Sequence, residues 1–79
     1  MVKEKVENEA PYDRFKRIAT RRTQRILYYL RILGNCSNKG GYQYTSEDVR
    51  KIFSAIDDET KRVRSLFENG EKKGKEFKL

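Results

Sequence analysis

The chain is predicted to be all-α: a two-helix αα-hairpin that dimerises into a four-helix bundle. Three observations predict it. Apolar residues recur at helical spacing in two separate segments, a glycine-bearing polar connector joins them, and each segment is apolar on one side only. One hairpin gives each stripe a single neighbour. Two hairpins packed together, or one laid on a larger protein, close the faces better. The composition points the same way. With 35% apolar and 39% charged residues in 79, the core must be thin, and chains this short gain stability by association.

Residues 1–10 read as a flexible polar leader. They are charged and lack an apolar centre, so no signal peptide is expected there, and the acids through Asp13 argue against a transit peptide. Pro11 suits the first turn of a helix. From it, Phe15, Ile18, Ala19, Ile26, Tyr29, Leu30 and Leu33 form one stripe, and Gly34-Asn35 is expected to supply a left-handed stop.

The connector runs from Gly34 to Tyr44 with a turn at Gly40-Gly41, and Tyr42-Gln43-Tyr44 permits a short extended piece. Thr45-Ser46-Glu47-Asp48 then has the form of a capping box, with Asp48 reaching back to Thr45. The second helix is expected over about 46–68, carrying Val49, Ile52, Phe53, Ile56, Thr60, Val63 and Phe67 on one face, with Leu66 at its edge and Asn69-Gly70 as its end. That makes residues 11–69 the helical domain and 70–79 a disordered Lys/Gly-rich tail.

The charge is not spread evenly. Residues 1–13 sum to −2, 14–46 to +8, 47–68 to −1 and 69–79 to +2, so the formal +7 lies almost wholly in one segment. No carboxylate occurs between Asp13 and Glu47, while Arg14, Lys16, Arg17, Arg21, Arg22, Arg25, Arg31 and Lys39 do. On a helix, Arg14, Arg17, Arg21 and Arg25 share a sector of about 80° beside the apolar stripe, and Tyr28 continues it. Arginine forks pair bidentately with phosphate, and an aromatic ring stacks on a base. Lys39 adds a further cation in the connector. A solvated face is the ordinary explanation of helix charge, but such faces mix signs, as the second segment does. Acid-free charge is the footprint of a polyanion surface.

Arg22 falls in the middle of the apolar stripe, where an unpaired charge is costly. It needs an acid, with Asp57 or Glu59 as candidates, or an open end to the stripe. Amides of the glycine-bearing loop could cradle a phosphate, although the Lys-Ser/Thr ending of a P-loop is missing.

Enzymatic chemistry is not expected. The chain has no histidine and a single cysteine, Cys36, which excludes Cys/His zinc sites, internal disulfides and a nucleophile–base pair. Asp57, Asp58 and Glu59 are consecutive and fan out around a helix. No cofactor or metal is expected, and a reducing cytoplasmic setting is the simplest one. No apolar run approaches a membrane span.

The strings RFKRIATRRTQRIL, LGNCSN and YQYTSEDVRKIFSAID, over residues 14–67, resemble small uncharacterised proteins encoded on bacterial mobile elements. The resemblance implies a bacterial accessory protein and carries over no activity or site residues.

Three functions fit these features. The first is a dimeric nucleic-acid-binding module, for DNA or RNA, using Arg14, Arg17, Arg21, Arg25, Tyr28 and Lys39. The connector is too long for a helix-turn-helix, so contact would be mostly with the backbone. The second is a protein–protein adaptor or inhibitor that docks its cationic helix on an acidic or nucleic-acid-binding surface. The third, a helix lying on anionic lipid, ranks last because it would take the apolar face the second helix needs.

Overall fold

A computed structural model describes residues 8–74, with side chains for residues 8–70. Two α-helices carry the fold: α1 (Pro11–Asn35) and α2 (Ser46–Gly74). The described residues contain no strand, and Tyr42-Gln43-Tyr44 does not form one. The chain divides into two compact units, Met1–Tyr42 and Gln43–Leu79, each holding one helix.

In the first unit, Ala10 stands at the N-cap in extended conformation and Pro11 opens the helix. Ala10 offers no side-chain acceptor, so the early N–H groups lack the usual cap, and only Asp13 lies favourably in the first turn. The other end departs from expectation. Helix α1 runs two residues beyond Leu33, its cap residue Cys36 is right-handed, and no described glycine has a positive φ. The left-handed stop at Gly34-Asn35 is not used. The orphan carbonyls are instead taken by a tightened last turn. The Cys36 amide donates to Leu33 at 2.9 Å, Ser37 to Gly34 at 3.1 Å and Asn38 to Asn35 at 3.4 Å.

Gly34 thus sits in ordinary helical backbone, and a Cβ there would meet nothing within 4 Å. Gly34→Ala is expected to stabilise α1 by about 0.4–1 kcal/mol through the unfolded chain's lost freedom. Thermal unfolding followed by circular dichroism checks it. A fall in stability would show that the glycine serves another purpose.

The connector turn forms as expected. The Asn38 side chain accepts the Gly40 amide at 3.0 Å, and its carbonyl accepts those of Gly41 and Tyr42 at 3.1 and 3.0 Å. Asn38 is thus the organiser of the loop, in the manner of an Asx-turn.

In the second unit, the capping box closes reciprocally. The Thr45 amide donates to Asp48 Oδ2 at 2.9 Å, and the Asp48 amide donates to Thr45 Oγ1 at 3.0 Å. The far end again overruns: α2 continues through Asn69-Gly70 to Gly74. One glycine inside a helix costs only about 1 kcal/mol, and Glu71-Lys72-Lys73 are good helix formers with no proline after them. Of the segment expected to be a disordered tail, residues 70–74 are helical and 75–79 lie outside the described residues, as does the leader before residue 8.

No described side chain is buried. The most covered positions are half-buried: Glu9, Arg17, Ile18, Ala19 and Leu33 in the first unit, Tyr44 and Ile56 in the second. Both apolar stripes form as patterned and stand open, with Ile26 60%, Tyr29 65% and Phe53 49% exposed.

Candidate nucleic-acid interface

The basic sector is built by α1 alone. Arg14, Arg17, Arg21, Arg25 and Tyr28 all lie inside the helix, so their spacing follows from its rise. Arg14 to Arg25 covers about 17 Å, comparable to five phosphate intervals at the roughly 3.4 Å axial spacing of one strand of duplex. Arg14, Arg21 and Arg25 are exposed. Tyr28 is 54% exposed and packs edge-on to Tyr29, with centroids 5.4 Å apart and planes at 70°. That contact limits the swing of the ring while leaving much of it in solvent.

Arg17 is different. Glu9, just ahead of the helix, takes its guanidinium in a fork: Nη2 donates to Oε1 at 2.8 Å and Nε to Oε2 at 3.0 Å. The Glu9 side chain is 10% exposed and that of Arg17 31%. The acid-free sector of the sequence is thus not acid-free in space. A phosphate approaching Arg17 meets a carboxylate already in place. Next to this pair, Lys16 lies 4.8 Å from the centre of the Tyr12 ring and 4.0 Å from Asp13. In the first turns of α1, Arg17 and Lys16 therefore each stand beside a carboxylate, while Arg14 is exposed.

The Arg17 hydrogen bonds hold the Glu9 carboxyl below its ordinary range, desolvation opposes them, and the charges of Arg17 and Arg14 assist. The lowered value fixes the pH dependence. The fork favours the carboxylate, so it is complete above the ordinary glutamate range and is lost as pH falls through the lowered value. Glu9 is expected to titrate below the ordinary glutamate range in carboxyl NMR spectra, with the Arg17 Nε–H signal moving in parallel. A Glu9 that titrates within or above that range would mean that the fork does not form.

The connector takes little part. Lys39 is its only charged residue, three positions past Cys36, and it lies off the helix that carries the arginines. The amides of Gly40, Gly41 and Tyr42 are all engaged by Asn38, so the loop has spent the donors that a phosphate cradle would need. The Tyr42 ring beside them stands 55% exposed.

Arg22 is exposed on its open stripe and is not buried among apolar neighbours. Of its two expected partners, Glu59 is taken by Arg62 on its own helix, with contacts of 2.6–3.2 Å. Each member holds the other charged: Glu59 is lowered and Arg62 raised, first through their hydrogen bonds.

No protein-family model, curated protein or solved structure matches the chain. Among the described residues, no helix is long and apolar enough to cross a membrane. Sequence reasoning missed Glu9, and the available signal was slight: an acid just ahead of a proline-started helix whose second turn carries arginine.

Proposed function

We propose that the chain is a small basic nucleic-acid-binding module of bacterial origin, acting in the cytoplasm as a dimer of helical hairpins. Arg14, Arg17, Arg21 and Arg25 contact successive phosphates, Tyr28 stacks on a base or ribose, and Lys39 adds charge at the far end. The observation that carries this reading is the run of exposed arginines on α1, with no acid along the helix from Arg14 onward. Recognition rests on the backbone, so sequence preference is weak and DNA and RNA are both ligands in principle.

The test is fluorescence anisotropy with labelled single-stranded and duplex oligonucleotides across a salt series. With Arg17 answered by Glu9, the three other phosphate contacts give a log–log slope of about −2.1 for single strands and −2.7 for duplex, or roughly 20-fold and 40-fold weaker binding between 50 and 200 mM salt. Removing Glu9 as Glu9→Gln is expected to raise affinity and steepen the slope by up to about one unit, because Arg17 no longer exchanges one anion for another. An unchanged slope would remove Arg17 from the contact set.

A second reading keeps the same helix but changes its ligand: an adaptor or inhibitor docking on an acidic or nucleic-acid-binding surface of a partner. The absence of any buried side chain among the described residues favours a chain completed by another protein. Binding to no oligonucleotide at 50 mM salt would select this reading.

A further inference from the structure

The two open stripes mirror one another. Along α1 the seam is Phe15, Ala19, Arg22, Ile26, Tyr29 and Leu33, with steps of four, three, four, three and four. Along α2, read backwards, it is Phe67, Val63, Thr60, Ile56, Phe53 and Val49, with the same steps in the same order. Each is the heptad seam of a coiled coil. Laid antiparallel, the two register at every layer.

These seams are open, with Ile26 60%, Phe53 49% and Val63 37% exposed. Neither unit covers its own seam, and the complement of each is written in the chain itself. We propose that the occupant is a second copy: α1 of one copy packs antiparallel on α2 of the other, with Phe15 opposite the partner's Phe67 and Leu33 opposite the partner's Val49. Two-fold symmetry makes the pair twice, giving four helices. This refines the dimer of the nucleic-acid reading and rests on no property of the basic sector.

Three features select this register. First, Arg22 falls opposite the partner's Thr60, so the one charge of the first seam meets the one non-aromatic polar residue of the second. The Thr60 hydroxyl already donates to the Ile56 carbonyl at 2.7 Å, so burying it leaves no donor unmet. On the flank beside it the partner's Glu59 stands next to Arg25, within a turn of Arg22. Glu59 and Arg62 are each about three-fifths exposed, so their present pair is easily exchanged.

Second, one flank agrees. On one side of the seam the register sets Ile18 near the partner's Leu66 and Ile32 near the partner's Ile52. Third, sliding the helices by one heptad, the smallest shift that keeps the seams matched, would place Arg22 against the partner's Phe67 or Phe53. Arg22 then faces an aromatic ring in place of the polar residue that Thr60 supplies. A polar residue at one seam position is a known means of fixing register.

Cysteine cross-linking tests both partner and register, in a Cys36→Ser background and without nucleic acid. Chains carrying Ala19→Cys and chains carrying Val63→Cys are unfolded together, refolded, oxidised and run on a non-reducing gel. The expected result is a two-chain band from the mixture and none from either variant alone. A disulfide demands close approach of the two backbones, so the reaction is register-specific. Leu33→Cys with Val49→Cys repeats the test at the other end should the first pair disturb folding.

Several outcomes overturn the proposal. A chain carrying both substitutions that closes on itself as a monomer would make its own helix the occupant. Cross-linking of Val63→Cys chains with each other would mean that α2 pairs with α2. Preference for Ile56→Cys or Gly70→Cys over Val63→Cys would shift the register. Light scattering of the unsubstituted protein keeps the levels apart: a dimer with the wrong cross-links overturns the register alone, and a monomer overturns the dimer as well.

Discussion

Ile56→Asp is expected to convert the associated protein to a poorly helical single chain, with a loss of about 3 kcal/mol or more. Ile56 lies at the centre of the α2 stripe, between Phe53 and Thr60, and on α2 it is the one described side chain that its neighbours already half-cover. An aspartate there places an unpaired charge where association removes water. The helix loses too, because isolated helices of this composition draw most of their stability from packing of the apolar face. Light scattering and the thermal transition read both effects. Ile56→Val is the control and should cost about 1 kcal/mol with mass and cooperativity kept. An Ile56→Asp protein of unchanged mass and melting would show that this stripe is not the one that associates.

Combined replacement of Arg14, Arg17, Arg21 and Arg25 by alanine should weaken oligonucleotide binding by two orders of magnitude or more at low salt, and flatten the salt dependence. Folding is not the confounding variable. Alanine is the best helix former, and the four positions lie off the apolar stripe. Circular dichroism should therefore show α1 intact while binding falls. Tyr28→Ala should act selectively, weakening single strands more than duplex because paired bases hide their faces. A quadruple variant that folds and binds as the parent does would transfer the basic helix to the adaptor reading.

Both expectations rest on features that residue order alone displays. The helical class, the two helices, the proline start at Pro11, the Thr45–Asp48 box and the turn at Gly40-Gly41 are local properties. Each depends on spacing or on hydrogen bonds between residues a few positions apart, and sequence displays those directly. The concentration of charge in residues 14–46 is equally plain, since it needs only counting along the chain.

The helix ends were less legible. A glycine after an apolar run marks a stop only when the chain enters the left-handed region there, and Gly34 and Gly70 both remain helical. What decided this was the competition between closing modes, which differ by a fraction of a kcal/mol and leave little trace in residue type.

The state of the basic sector was decided by the folded backbone. That Glu9 forks onto Arg17 and that Arg22 is exposed in the single chain are facts about which groups meet in space. By itself the sequence determined which charges exist and on which helix face they stand. Only the folded chain decided which of them are already answered, because an ion pair depends on a few ångströms of approach that a turn of backbone before Pro11 either provides or does not.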